Sequence, residues 1–189
     1  IDSRDPFVDS NVYGAFVLID ELRSTEVESF IQMSTDEVYG SINEGTFTES
    51  DNLDPSSPYS ASKGAADLFA NAFRDTYNLP ITVARCTNLF GPRQHSEKLI
   101  PKMIQRTQAR DPLPVYGDGT NQREWLFVED ACEALHTLME EGLPEIYNIG
   151  GGTEKQNIEV VGNIVDQLDA SEKLIEFVED RPGHATDMP

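Results

Sequence analysis

The sequence predicts an α/β fold built on a parallel sheet, and three features support this. An apolar run at 30–34 is followed by a long segment with helical spacing at 59–77, and then by a β-rich run at 81–86. A strand, a helix and a strand in this order form a parallel βαβ unit. The 189 residues suffice for one domain with a real core, or for parts of two.

Each element of the first half follows from its own residue pattern. Residues 11–22 carry apolar side chains at helical spacing, which predicts a helix. The run 30–34 is typical of a buried strand, and 41–58 holds Gly, Ser, Asn and Pro with little periodicity, which predicts a loop. The segment 59–77 has a broad apolar face, which predicts a long helix, and 81–86 predicts a second strand.

The second half repeats this alternation with tighter turns. Gly117-Asp118-Gly119 and Gly150-Gly151-Gly152 predict sharp turns. We place a soft domain boundary at 94–97, so that 1–96 form one domain and 97–189 mainly a second, with some segments returning to the first sheet. The predicted helices are 99–110, 130–141 and 160–168, and the predicted strands are 125–128, 146–149 and 175–178, while 114–116 precede the first of these turns.

Composition excludes several classes of function. The net charge of −20 argues against nucleic acid and anionic membrane surfaces as partners. The acidic, Lys-poor composition suggests a halophilic source. Cys86 and Cys132 lie in apolar patterns and are interpreted as reduced core residues of a cytoplasmic protein. No apolar run is long enough to span a membrane, and no signal peptide opens the chain.

Thr35-Asp36-Glu37 follows the first predicted strand. In open α/β sheets ligands bind outside the carboxyl ends of the strands. Two adjacent carboxylates there can divide the roles of general acid and general base if their environments separate their pKa values. A polar turn or a helix cap is the alternative interpretation of the same triplet.

Tyr59 and Lys63 stand four residues apart, so on a helix they share one face. A nearby ammonium favours the phenolate and would lower the pKa of Tyr59 toward the working range. Tyr59 could then take a proton from a hydroxyl group while hydride leaves the adjoining carbon. A surface pair on an amphipathic helix is the alternative.

Taken together, Ser34-Thr35-Asp36-Glu37-Val38-Tyr39-Gly40 and the later Pro58-Tyr59-Ser60-Ala61-Ser62-Lys63 resemble the extended short-chain dehydrogenase/reductase superfamily. Within it, the Thr-Asp-Glu triplet resembles the dTDP-glucose 4,6-dehydratases. The resemblance implies a Rossmann-like doubly wound parallel sheet with a smaller mixed α/β substrate-binding domain. The 4-epimerases and UDP-glucuronate decarboxylases, which are close relatives, usually carry other residues where Asp36 stands.

One part of that fold has no counterpart in the sequence. A doubly wound dinucleotide fold begins with a strand, a glycine-rich turn and a helix. The sequence contains no G-x-G-x-x-G pattern. We therefore expect the N-terminal glycine-turn part to be missing from this chain, which would make it an internal or ordered piece of a longer one.

The resemblance also assigns residues to roles. NAD would be contacted by Asn11, Ser34, Tyr59 and Lys63, and the chemistry would fall to Thr35, Asp36, Glu37, Tyr59 and Lys63, with no metal. Arg123 and Arg181 offer planar forks suited to phosphate oxygens. The sugar-nucleotide pocket would be lined by Thr35, Asn88, Lys98, Leu99, Pro114, Val115, Tyr116, Arg123, Asn148, Arg181 and His184.

The implied activity is dehydration of dTDP-glucose to a 4-keto-6-deoxy sugar with bound NAD. A different sugar-nucleotide enzyme, either a 4-epimerase or a decarboxylase, is the nearest alternative. A truncated, non-catalytic fragment that binds a sugar nucleotide is the alternative of another class. The apolar face of the Tyr59 helix suits a homodimer of the kind that the family forms, and burial against the sheet is the other interpretation of that face.

Overall fold

The structure is a computed structural model that describes residues 6–42, 45–179 and 187–188. Two predicted pocket residues, Arg181 and His184, lie outside the described residues. Within the described part, no helix is both long and apolar enough to cross a membrane. The elements are a π-helical segment (Val8–Gly14), α1 (Ala15–Glu21), β1 (Phe30–Thr35), α2 (Pro58–Tyr77), β2 (Ile81–Cys86), β3 (Asn88–Phe90), α3 (Leu99–Ala109), β4 (Leu113–Tyr116), β5 (Gln122–Phe127), α4 (Val128–Glu141), β6 (Ile146–Ile149), β7 (Glu154–Gln156), α5 (Asn157–Gln167), β8 (Ile175–Val178) and β9 (Asp187–Met188).

The main sheet is parallel and has the strand order β1-β2-β6. Its central strand β2 is buried along its whole length, as expected for a parallel strand covered on both faces. The register aligns Ser34 with Arg85 and Arg85 with Asn148, and the next layer contains Thr35, Cys86 and Ile149. The residues that follow the three strands therefore meet at one edge of the sheet.

Helices cover both faces of this sheet. On one face, α1 and α2 pack through Ile19, Leu22 and Ala66 against Ile81 and Val83. On the other face, α4 packs against alternate residues of the same strands, and this second cluster contains Ala84, Cys86, Leu126, Ala131 and Ile149. The result is a three-layer α/β/α arrangement, which agrees with the predicted fold class.

A separate core lies under the second half of the chain. Strands β4 and β8 pair in parallel, and α3 and α5 pack beside them. Met103, Leu113 and Val161 are buried at the centre of this cluster. A third sheet joins β3, β5 and β7, with β9 beside β5. The predicted domain boundary at 94–97 falls between β3 and α3 and stays a prediction.

Several element boundaries differ from the predicted ones. Strand β5 begins at Gln122 rather than at residue 125, because Gln122–Glu124 pair antiparallel with the unpredicted strand β7. Helix α5 begins at Asn157 rather than at residue 160, because Gln156 and Glu159 form a reciprocal cap. Strand β3 was also not predicted. Cys132 was predicted to be in the core and is exposed, whereas Cys86 is buried.

Candidate active site

The Thr35-Asp36-Glu37 triplet forms a tight local structure at the end of β1. Asp36 opens a 3₁₀ turn, and the Thr35 side chain caps this turn by accepting a hydrogen bond from the Glu37 amide at 3.3 Å. The same Thr35 hydroxyl donates to Asp36 Oδ1 at 3.0 Å. Gly40 ends the turn at φ 85°, where any Cβ would run into the Asp54 carbonyl. The local sequence therefore fixes the direction of the Asp36 carboxylate.

Burial raises the pKa of Asp36 from 3.8 to about 7. The hydrogen bond from Thr35 and the charge of Arg123 oppose this rise, and the adjacent Glu37 adds to it. Asp36 is thus partly protonated near neutral pH, which a general acid requires. The raised pKa of Asp36 suits it to the acid role in the predicted pair.

Tyr59 lies in the first turn of α2, beside these carboxylates. A reciprocal cap between Ser57 and Ser60, with Pro58 at the first helical position, fixes where α2 begins. The Tyr59 side chain is 37% exposed, and its ring meets Phe7 edge-on. Burial and the charges of Glu37 and Asp36 raise its pKa. The predicted lowering of this pKa by Lys63 is therefore wrong for this structure, because the nearby carboxylates disfavour the phenolate.

Lys63 and Asn11 hold the surroundings of Tyr59 together. The Lys63 ammonium donates a hydrogen bond to the Met33 carbonyl near the end of β1. Burial lowers the pKa of Lys63, opposed by Asp67 and Cys86. Asn11 Nδ2 donates to Ser62 Oγ at 2.9 Å and so ties the π-helical segment to α2. These contacts bring the predicted NAD-contacting residues to one side of the carboxyl edge of the sheet.

These residues fit one end of an NAD molecule. An ammonium has three N–H donors, and Met33 accepts one of them, so Lys63 can also donate to ribose hydroxyls. The Tyr59 phenol is partly exposed at the sheet edge where such ligands bind. The pyrophosphate would need a glycine-rich turn that the 189 residues do not contain. The fit is therefore with the nicotinamide ribose.

A buried polar network that sequence reasoning missed lies directly below the site. Arg85 Nε pairs with Asp67 Oδ2 at 2.9 Å, and both side chains are almost fully buried. Arg85 Nη1 donates to the Tyr39 hydroxyl at 2.6 Å, which donates to Asn148 Oδ1 at 2.7 Å. A charged residue inside the apolar run 81–86 was the available signal, because a buried guanidinium requires a partner.

The same network anchors the loop that follows the catalytic turn. Asn148 Nδ2 donates to the Phe47 carbonyl at 3.3 Å, and the Asn148 amide donates to Glu49 at 2.9 Å. The Phe47 and Tyr39 rings stack with centroids 4.9 Å apart. The resemblance assigns Asn148 to the sugar-nucleotide pocket. It has backbone and side-chain partners, so in this structure it holds the loop.

The other predicted pocket residues occupy β3, β4, β5 and the start of α3. Arg123 is buried on β5 and lies near enough to Asp36 to lower its pKa. Asn88 Nδ2 donates to the Glu124 carbonyl at 3.3 Å. Val115 is 3% exposed and belongs to the buried cluster under the second half of the chain. Lys98 is exposed and caps α3, Leu99 begins that helix, and Pro114 and Tyr116 are half-buried on β4.

Two cavities adjoin these elements. A small one of about 90 Å³ is lined by Asp36, Tyr39, Thr87, Asn148 and neighbouring residues. A larger apolar one of about 580 Å³ lies between α3, α5 and the aromatic side chains of Phe90, Trp125 and Phe127. Among the described residues that line the larger cavity there is none of the predicted catalytic side chains. Cavity volume therefore does not identify the candidate active site, whereas the acid–base side chains do.

Comparison with known proteins places this arrangement in context. Residues 1–150 match the model of the NAD dependent epimerase/dehydratase family. The chain is 51% identical over 185 residues to the low-salt glycan biosynthesis protein Agl12 of Haloferax volcanii, with 97% of this chain and 60% of that protein covered. It is 44% identical over 204 residues to a dTDP-glucose 4,6-dehydratase of Xanthomonas campestris, with coverages of 97% and 58%.

A solved structure confirms the predicted Rossmann-like fold class. The dTDP-glucose 4,6-dehydratase from Bacillus anthracis, solved in complex with NAD, superimposes with a TM-score of 0.92 at 44% identity. The match covers 98% of this chain and 60% of that one. The chain thus spans no more than about 60% of the length of the relatives named here.

Proposed function

The chain belongs to the NAD dependent epimerase/dehydratase family, and we propose that it carries the catalytic part of a dTDP-glucose 4,6-dehydratase. The observation that carries this proposal is Asp36, a carboxyl group with a pKa near 7 that lies near enough to Tyr59 to raise the pKa of that phenol. An enzyme that only oxidises and reduces C4 has no use for an acid at C6. A dehydratase needs one, because a hydroxyl group leaves as water only when it is protonated.

In the proposed mechanism each of the chain's own residues has one task. Tyr59 takes the proton of the C4 hydroxyl as that carbon is oxidised, and Thr35 orients the C4 oxygen. The resulting ketone acidifies the proton on C5, which Glu37 removes. Asp36 then protonates the departing C6 hydroxyl. Glu37 finally returns its proton to C5, and the product is the 4-keto-6-deoxy sugar nucleotide.

NAD, when bound, would accept a hydride from C4 and supply one to C6. Asn11, Ser34, Tyr59 and Lys63 are the residues proposed to hold its nicotinamide end. The oxidised nicotinamide also carries a positive charge, and a cation beside Tyr59 favours the phenolate. This charge would offset the effect of Glu37 and Asp36, which raise the pKa of the phenol.

The diphosphate of the substrate must be neutralised locally in a chain of net charge −20. Arg123 supports this role, because it is a buried guanidinium near the catalytic turn. Lys98 offers a second, exposed positive charge. We propose a nucleoside diphosphate sugar as the substrate, with dTDP-glucose as the first choice.

The first experiment incubates the natural full-length protein with dTDP-glucose and NAD and weighs the sugar nucleotide by mass spectrometry. Loss of one water supports the dehydratase. An unchanged mass with conversion of UDP-sugars to epimers or pentoses would instead support a 4-epimerase or a decarboxylase. Absence of any reaction, with sugar nucleotide still bound, would support a non-catalytic binding fragment. A parallel incubation with the Tyr59→Phe variant controls for contaminating activity.

We further propose a homodimer in the cytoplasm. Leu18 on α1 and Leu68 on α2 are 61% and 63% exposed, although they belong to elements that also supply the core. Val17 and Tyr13 extend the same exposed apolar surface. Exposed apolar side chains grouped on two neighbouring helices favour a partner over solvent.

A further inference from the structure

After each turnover of the proposed reaction, Tyr59 carries one proton too many and Asp36 one proton too few. Tyr59 gains a proton when the C4 hydroxyl is oxidised, and the product retains the C4 carbonyl, so that proton is not returned. Asp36 loses a proton to the departing C6 oxygen, whereas Glu37 takes a proton from C5 and gives it back. Before the next turnover Tyr59 must therefore lose one proton and Asp36 must gain one.

The small cavity of about 90 Å³ lies where Asp36 could regain that proton. Asp36 and Thr87 follow Thr35 and Cys86, which are paired in the sheet register, so both stand at the same edge. The Thr87 amide donates to the Ile149 carbonyl at 3.1 Å, which fixes Thr87 between β2 and β6. Both residues line the cavity.

Two buried polar atoms at this cavity require a hydrogen-bond partner. Among the described residues, no protein group hydrogen-bonds Asp36 Oδ2 or Thr87 Oγ1, and both atoms are shielded from solvent. Leaving such buried groups unpaired destabilises a folded protein. Native proteins commonly satisfy buried polar groups with ordered water, which needs two to four polar partners.

The size and surroundings of the cavity fit water better than a sugar nucleotide. A water occupies roughly 30 Å³ of liquid, so about 90 Å³ accommodates a few waters. Thr46 and Gly150 also line the cavity and are exposed, which gives bulk water a way in. Arg85 and Tyr39 line it too, and both are engaged in the buried network.

We propose that this cavity holds ordered water from which Asp36 regains its proton after each turnover, and that the Thr87 hydroxyl positions that water. The inference rests on the proposed dehydratase function. In the resetting step a water O–H bond breaks, its proton forms a new O–H bond on Asp36 Oδ2, and the resulting hydroxide is neutralised by a proton from bulk solvent. Thr87 is a positioning residue, since it acts through the water.

The kinetic test compares a single turnover with steady-state turnover in the natural full-length protein with NAD bound. In Thr87→Val the first loss of water should proceed at nearly the unmodified rate, because that step uses the proton that Asp36 already carries and needs no resetting. Steady-state turnover should fall about tenfold, with a larger solvent deuterium isotope effect. Thr87→Ser keeps the hydroxyl and should restore turnover. Equal slowing of both rates would show displacement of Asp36 and overturn the inference, as would no slowing of either.

Thr82→Val is the matched control, since Thr82 is a buried threonine on β2, the strand that Thr87 follows, and its hydroxyl donates to the Leu143 carbonyl, away from Asp36. It should leave both rates unchanged. Crystals of the full-length protein give a second readout that needs no activity. A water within hydrogen-bond distance of Asp36 Oδ2 and Thr87 Oγ1, lost in Thr87→Val, is expected. An active dehydratase without that water overturns this inference alone, whereas an inactive unmodified protein overturns the proposed function.

Discussion

At the scale of single residues, Asp36 is the side chain on which the proposed function most depends. Its Oδ1 accepts a hydrogen bond from Thr35, and burial raises its pKa to about 7. The sequence predicted two adjacent carboxylates at a strand end but not which of them would be the acid. That distinction comes from the burial of Asp36 in the folded chain, which a local sequence pattern does not contain.

Replacing Asp36 with Asn should separate the two halves of the proposed reaction. Asparagine keeps the shape but cannot give a proton to the C6 hydroxyl, so loss of water should fall about 10²- to 10⁴-fold. Oxidation at C4 depends on Tyr59 and should fall much less. Absorbance of the reduced cofactor measures the oxidation, and mass spectrometry measures the loss of water. If the two steps fall by the same factor, Asp36 is not the acid.

The same substitution should change stability with pH in a specific direction. The pKa of Asp36 rises from 3.8 to about 7 on folding, so between these values the folded protein binds more protons than the unfolded one. Stability contributed by this group therefore falls as pH rises through that window. The amide of the Asp36→Asn variant does not titrate and escapes this loss. The variant should gain roughly 2–4 kcal/mol relative to the unmodified protein between pH 4 and pH 8.

Urea unfolding at both pH values measures that gain, with Asp118 as a control of opposite sign. Hydrogen bonds from Thr120 lower the pKa of the exposed Asp118. Asp118→Asn should therefore lose a little stability, with little change between pH 8 and pH 4, because a pKa below 3.8 keeps Asp118 ionised over most of that range. A difference for Asp36→Asn that does not vary with pH would contradict the raised pKa.

At the scale of elements, the buried pair of Asp67 and Arg85 joins α2 to the central strand. Asp67→Asn should destabilise the protein by about 3–5 kcal/mol, because it leaves the Arg85 charge uncompensated in the core. The double variant Asp67→Leu with Arg85→Met should lose less stability, since no charge is then left buried. Asp20→Asn breaks the exposed pair of Asp20 and Arg23 and should cost under about 1 kcal/mol.

Urea unfolding of the full-length protein compares these variants. An equal loss for Asp67→Asn and for the double variant would show that packing volume, rather than charge, accounts for the effect.

The pair of Asp67 and Arg85 also matters for the candidate active site. Arg85 donates to Tyr39, which reaches Asn148, so a displaced Arg85 would release the loop held by Asn148.

Helices and strands with a strong apolar pattern in their own residues were predictable from the sequence. Strands that form only because they pair with another strand were not. The helix at 59–77 and the strand at 81–86 were placed within one residue, because apolar periodicity and strand-like runs are local properties. Strand β7 is Glu154–Gln156 and has no apolar pattern, so it exists only through its pairing with β5. Strand β3 is three residues long and likewise depends on β5.

At the scale of the whole molecule, short sequence motifs predict the family and the fold class. The pKa values and the oligomeric state depend instead on which side chains meet in the folded chain and which remain exposed. The Thr-Asp-Glu and Tyr-x-x-x-Lys motifs indicated the family that the comparisons confirm. The pKa of Tyr59 was predicted in the wrong direction, because burial and the charges of Glu37 and Asp36 raise it, while the ammonium of Lys63 bonds to a backbone carbonyl. The spacing of Tyr59 and Lys63 along one helix gave no information about the two carboxylates, which belong to a different segment.

The last prediction concerns the proposed dimer. Leu18→Glu together with Leu68→Glu places charges on the exposed apolar surface of α1 and α2. Burial of a leucine is worth about 1.5–3 kcal/mol, and a two-fold interface buries each residue twice, so association should weaken at least about 100-fold. Leu143→Glu is the control, because Leu143 is equally exposed at 63% and lies between α4 and β6. Sedimentation equilibrium of the full-length protein should show a monomer for the double variant and a dimer for the control. A dimer that survives the double substitution would place the interface elsewhere, and the outward leucines would then be ordinary surface residues.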